Sequence, residues 1–281
     1  HRVDRTDRVS EPRTIAIRLP NGDTVRADEL AGDAPGYVYV HGLGSVRAGL
    51  KSDSLLHYAR DRGRAFVRYD QRGHGESSGT IGAVTITELI TDALVVARRM
   101  PSCILVGSSL GGLVAAFASA LVPERVRALC LIAPAIGLAT DLRGRLDADG
   151  CMQTSNGLRF PVLRHVLDDA KNLGEERLAS RIVVPTLIVH GTKDDVVPWR
   201  ASERFHAAIP TAKKDLWIVD GGDHRLADHG PAMWRRLERL LDASPVLRGL
   251  SRETFVHYRA IFPPEVRPQV AKAMADLADL S

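Results

Sequence analysis

Short apolar runs alternate with longer stretches of helical periodicity along this chain. Eight runs read as strands: Thr14–Leu19, Thr24–Glu29, Gly36–His41, Ala65–Tyr69, Cys103–Val106, Val126–Ile132, Thr186–His190 and Leu216–Val219. Each is short, and most are rich in Val, Ile, Leu or Tyr and close to a turn former. Helical patterns fall between most of them, at Ser54–Arg62, after Thr85, at Leu110–Val122, at Trp199–Ile209 and at Pro231–Asp242. The second opens on a Thr85-x-x-Glu88 capping box and carries Leu89, Ile90, Ala93, Leu94, Ala97 and Met100 at helical spacing. Pro101 ends it, and Pro123 ends the next. The turn at Asn21-Gly22-Asp23 joins the first two strands as a hairpin. From Gly36 onward strand and helix alternate, which predicts a mostly parallel sheet covered on both faces.

Two segments break the alternation. Ile136–Val184 separates two strands where one helix would suffice, and its apolar clusters suggest a helical cap inserted over the sheet edge. The tail carries Val270, Ala273, Met274, Leu277 and Ala278 as a helical stripe. The expected organisation is a core of residues 14–135 and 185–243, a cap of residues 136–184, and a C-terminal helical extension of residues 244–281. That extension is either one more helix on the chain's own core or a homo-oligomer contact.

Composition narrows the class. The 281 residues, 44% of them hydrophobic, suffice for a large buried core. A net charge of +4 arises from intermixed basic and acidic side chains, with no nucleic-acid motif beside it, so no nucleic-acid partner is expected. No apolar run approaches a membrane span. Cys103, Cys130 and Cys151 form no disulfide framework, which fits a soluble intracellular setting, cytoplasm or organelle matrix, with an N-terminus open to processing.

The chemistry begins at "ILVGSSLGG". Gly107-Ser108-Ser109-Leu110-Gly111 joins a strand to a helix and fits the G-x-S-x-G nucleophile elbow, which lifts the Ser109 hydroxyl above the carboxyl end of the sheet. The pattern alone is weak and needs a base, an orienting acid and two oxyanion donors. "LIVHGTKDDVVP" places Asp194 just past a strand, and "LWIVDGGDHRLAD" places His224 past the last one, in the required order Ser, Asp, His. Asp195 competes with Asp194 but can face solvent. His41 and His190 each precede a glycine at a strand end and read as buried turn-bonding residues. The backbone N–H groups of Leu43, in "YVYVHGLGS", and of Leu110 are the oxyanion donors. No metal or cofactor is expected, since H-E-x-x-H and paired C-x-x-C are both missing from the sequence.

"HGLGS", "YDQRGHGESSG", "LVGSSLGG", "HGTKDDVVP" and "GGDHR" resemble the successive motif blocks of the α/β-hydrolase superfamily from Thr14 to Asp242. "ILVGSSLGG", "HGTKDDVVPW" and "DHR" are similar to the abhydrolase-domain-containing protein 10 type, a family of palmitoyl-protein thioesterases and acyl-glucuronide esterases. The resemblance implies an α/β-hydrolase fold with an eight-stranded sheet, and a triad on Ser109, Asp194 and His224. "DQRGHGES" looks more like the general superfamily block, and the tail has no counterpart. The reaction expected is hydrolysis of a carboxylic ester or thioester through an acyl-enzyme. Transfer to another acceptor, as in an acyltransferase or perhydrolase, uses the same residues, and a hydrolase-like ligand-binding receptor would keep the triad with little turnover. Substrate contacts are expected from the cap: Phe160 against an acyl group, and Arg143, Arg145, Arg159 or Arg164 against an anionic group.

Overall fold

The computed structural model describes residues 11–242. The helical stripe, the proposed oligomer contact and the rest of residues 244–281 lie outside the described residues. In chain order the elements are β1 (Arg13–Arg18), β2 (Thr24–Leu30), β3 (Asp33–Val40), α1 (Leu50–Asp61), β4 (Arg64–Tyr69), α2 (Ile86–Ala97), β5 (Cys103–Ser108), α3 (Leu110–Leu121) and β6 (Val126–Ile132). Then come β7 (Cys151–Gln153), β8 (Arg159–Pro161), α4 (Arg164–Lys171), β9 (Thr186–Gly191), α5 (Trp199–Ala208), β10 (Lys214–Val219) and α6 (Gly230–Asp242).

Eight strands form one sheet in the order β1-β2-β4-β3-β5-β6-β9-β10. β2 alone runs against the rest, because it pairs antiparallel with both β1 and β4. The chain winds outward from β3 to β4 on one side and to β5 on the other. That reversal opens a crevice beyond the carboxyl ends of β3 and β5. This is the α/β-hydrolase fold, with the chain's eight apolar runs as its strands.

Side-chain alternation divides the core. Tyr37 and Tyr39 of β3, with Ile104 and Val106 of β5, pack on the face covered by α1 and α6. Val38 and Val40, with Cys103 and Leu105, face α2, α3 and the cap. β5 and β9 are buried along their whole length, so they read as unbroken apolar runs. The Thr85–Glu88 box forms as expected, with Glu88 N–H donating to Thr85 Oγ1 at 3.1 Å and Thr85 N–H to Glu88 Oε2 at 2.8 Å. Cys103, Cys130 and Cys151 are buried and free. No helix among the described residues is long and apolar enough to cross a membrane.

Residues 136–184 are less helical than the sequence suggests. They contain one α-helix, α4, several 3-10 turns, and a β7–β8 hairpin that the sequence reading lacks. Its strands have three residues each, too few for a periodic signal, although Thr154-Ser155-Asn156-Gly157 marks the turn. The segment is clasped to the core by hydrogen bonds from backbone N–H groups. Leu163 N–H donates to Gly82 O at 2.9 Å, and Asp169 accepts the N–H of Thr87 in the first turn of α2 at 3.1 Å.

Packing is tight where α3 crosses β3. A Cβ on Gly111 would collide with the carbonyl oxygens of Val40 and His41, and one on Gly107 would strike the Gly111 backbone. Backbone cannot yield as a flexible side chain can. Gly111→Ala is expected to lower stability by about 3 kcal/mol, read as a reduced urea midpoint at unchanged m-value.

Candidate active site

The elbow is built by the β5–α3 junction. Ser109 sits at φ 55°, ψ −120°, a conformation L-residues avoid. It is held there from both sides: Ser109 N–H donates to Ile132 O at 2.9 Å, and Ser109 O accepts from Gly112 at 2.9 Å and Ala135 at 3.0 Å. A Cβ on Gly42 would lie 3.1 Å from Ser109 Cβ and 3.7 Å from Oγ, so the loop after β3 abuts the serine directly. The N–H groups of Leu43 and Leu110 have no acceptor among the described residues. Leu43 follows Gly42, and Leu110 follows Ser109 and opens α3, where unpaired N–H groups attract negative charge.

The loop carrying Leu43 is fixed by two imidazoles. His41 Nδ1 lies 2.8 Å from Gly42 O, and its Nε2 accepts the N–H of Gln71 at 3.0 Å. Gln71 Nε2 donates back to His41 O at 2.7 Å. His74 Nε2 accepts the N–H of Gly44 at 3.1 Å, with Nδ1 3.0 Å from Arg72 O. Each ring therefore needs a bare nitrogen and is neutral. Burial, and then the adjacent His74 ring, push His41 down to about 4, and burial also lowers His74. The turn-bonding role expected of His41 is thus what it does, and "DQRGHGES" owes its residue types to this support. Asp70 in the same block accepts the N–H of Glu76 at 3.0 Å and pairs with Arg47, while Arg72 makes a bidentate pair with buried Asp92 at 2.7 and 2.9 Å.

Asp194 and His224 meet across the loops after β9 and β10. His224 Nδ1 lies 2.6 Å from Asp194 Oδ2, and the carboxylate is fully buried. Asp194 Oδ1 accepts the N–H groups of Val196 at 2.9 Å and Val197 at 2.8 Å. Burial raises its pKa, but bonds from His190, His224 and Val197 outweigh that and hold Asp194 well below the usual carboxylate range. Two cross-loop bonds fix the spacing, from Lys193 N–H to Gly222 O at 2.8 Å and from Gly221 N–H to Thr192 Oγ1 at 2.8 Å. Lys51 Nζ reaches from α1 to Arg225 O at 2.8 Å and steadies the far side of the His224 loop. Ser109 Oγ and His224 Nε2 are not hydrogen-bonded to each other. Such bonds commonly close only around substrate. His190, read from sequence as a turn-bonding residue, also reaches Asp194 Oδ2, at 2.9 Å. An Asp four residues after His in "HGTKD" is the signal that could have shown it.

An apolar cavity of about 50 Å³ runs from Leu43 and Leu110 under the cap, lined there by Leu138, Met152, Phe160 and Val162. Phe160, set against an acyl group in the sequence reading, is among the residues that line this cavity. The cap arginines are not. Arg159 pairs on the surface with Asp147 at 2.8 Å and Asp149 at 2.6 Å, Arg143 is exposed, and Arg164 is 90% exposed beside Asp168. None of these, nor Arg145, lines the cavity. Arg72 does, with its charge matched by Asp92.

A family model described as "Serine aminopeptidase, S33" matches residues 37–159 and 145–229. The chain belongs to this hydrolase family. Among curated relatives of this α/β-hydrolase, palmitoyl-protein thioesterase ABHD10, mitochondrial, of Mus musculus is 28% identical over 75% of this chain and 74% of its own length. The Homo sapiens protein of the same name is 28% identical over the same shares. Two solved structures share the fold. Mouse alpha/beta hydrolase domain-containing protein 10 has a TM-score of 0.70, 24% identity, and coverage of 82% of this chain and 98% of its own. Ferulic-acid-bound Est1E of Butyrivibrio proteoclasticus has a TM-score of 0.72, 20% identity, and coverage of 81% and 99%.

Two outcomes follow from this geometry. Unfolded His41 takes a proton near pH 6.5, whereas the folded residue resists until about 4. Stability is therefore complete above that window and falls as pH drops through it, by up to about 3 kcal/mol. Urea unfolding at pH 7 and pH 4.5 should show that loss in wild type and a smaller one in His41→Gln. Second, Arg143→Glu and Arg159→Glu should leave KM for anionic and neutral esters unchanged in steady-state assays.

Proposed function

We propose that this hydrolase cleaves carboxylic esters or thioesters through an acyl-enzyme on Ser109. What supports the reading is a strained serine at the end of β5, touched by the loop after β3, with a buried Asp194–His224 bond beyond β9 and β10 at the same end of the sheet. With Nδ1–H given to Asp194, His224 keeps Nε2 bare to take the Ser109 proton as Oγ attacks the acyl carbon. The tetrahedral oxyanion then accepts from the N–H groups of Leu43 and Leu110. His224 passes its proton to the departing alkoxide or thiolate, and water repeats the cycle to release the acid. The apolar wall between the two leucines and Phe160 suits the acyl side of the substrate. The ABHD10 relatives, named as palmitoyl-protein thioesterases, support thioesters as well as oxygen esters.

A fluorophosphonate probe should label wild type and leave Ser109→Ala unlabelled. Turnover of a p-nitrophenyl ester should fall by about 10⁴- to 10⁶-fold in Ser109→Ala and about 10⁴-fold in Asp194→Asn. Equal labelling of wild type and Ser109→Ala would refute the assignment.

A further inference from the structure

We propose that His190 is a positioning residue for the Asp194–His224 pair, donating to the same carboxylate oxygen that receives His224 and thereby setting its direction and basicity. The inference rests on the triad reading above. His190 is the last residue but one of the buried strand β9 and its side chain is wholly inaccessible. Its Nε2 faces two atoms that can only accept, Asp194 Oδ2 at 2.9 Å and Val197 O at 3.1 Å, so that nitrogen carries hydrogen in either protonation state. Its Nδ1 lies 2.7 Å from the hydroxyl of Ser202 on α5, which orients the ring. Asp194 then receives four donors: two backbone N–H groups on Oδ1 and two imidazoles on Oδ2.

A carboxylate oxygen shared between two donors attracts each less than it would attract one alone. Without His190, Oδ2 would hold the His224 imidazolium more strongly, and His224 would lose its proton at higher pH. The oxygen would also be freer to swing, and the His224 ring with it. The other charged groups around the pair are Lys51 of α1, and Asp223 and Arg225 beside His224, none of them bonded to His190. Substitution at 190 leaves their contacts in place.

The test is the pH profile of kcat/KM in the full chain, with active enzyme counted by fluorophosphonate titration so that misfolded protein drops out. His190→Leu fills the site without a donor. Its acid limb should move up by about 0.5–1 pH unit, with kcat down about tenfold and KM within about twofold. His190→Gln, whose amide can donate to Asp194 and accept from Ser202, should bring the limb back to the wild-type position. A His190→Leu enzyme that labels fully with an unmoved acid limb overturns the proposal. Should that variant not fold, Ser202→Ala decides: it keeps the ring but removes its anchor, and a limb shifted in the same direction supports the role while an unmoved one rejects it. Failure of the triad reading is a separate result, namely Ser109→Ala labelling like wild type.

Discussion

Everything at the site depends on how closely α3 approaches the end of β3. Gly111 lies against the carbonyls of Val40 and His41, and no side chain fits between them. That contact brings the first turn of α3 under the loop leaving β3. Gly42 therefore touches Ser109, and Leu43 and Leu110 are the next residues along the two segments that meet there. The strained backbone of Ser109 is a consequence of the same closeness. A strand must turn into a helix within one residue, and β6 and the loop beyond it, through Ile132 and Ala135, hold that residue in place.

Such a bend leaves polar groups that must find partners without water. On the β3 side they find neutral imidazoles, since His41 and His74 each receive a backbone N–H on Nε2. A carboxylate in either place would set negative charge beside the Leu43 loop. A protonated ring would lose the acceptor that the loop needs. Burial keeps both rings neutral, so the same desolvation that costs the protein stability in acid maintains the loop's shape. On the β9 side the solution is opposite in charge: an ionised Asp194 whose oxygens are fully occupied by donors.

The strands were legible because parallel strands buried on both faces leave continuous apolar runs, and the candidate site was legible so far as its residues lie at their ends. The elbow announced itself through Gly107 and Gly111, each a position where added atoms meet backbone. Asp194 and His224 followed from chain order and strand ends, and the structure joins these two by a hydrogen bond. The β7–β8 hairpin was not legible, because strands of three residues have no period to detect. The position of the cap arginines was not legible either. A run containing Arg143, Arg159 and Arg164 shows that charge is present, but Arg159 is drawn outward by Asp147 and Asp149, whose placement is set by irregular turns, and Arg164 lies beside Asp168 one turn on in α4. The bond from His190 to Asp194 spans four residues and was hidden in plain view, since an i, i+4 pair leaving a strand carries no periodic signature.

The cap's polarity decides what the cavity can discriminate. Arg159 of the cap pairs with Asp147 and Asp149 at the surface, while Leu138, Met152, Phe160 and Val162 line the cavity. The guanidinium that does line the cavity, Arg72, is matched by a buried carboxylate at bidentate distance, leaving little net charge at that wall. The cavity wall therefore offers shape and apolar area rather than a free charge. Asn156, in the hairpin turn of the cap, donates to Gly44 O at 2.8 Å, one residue from Leu43. Gly44 permits that approach, because a Cβ there would press on Thr154. The lid of the apolar cavity and the loop bearing the free N–H of Leu43 are thus parts of one hydrogen-bonded assembly, and a displacement of the hairpin removes a tether from that loop.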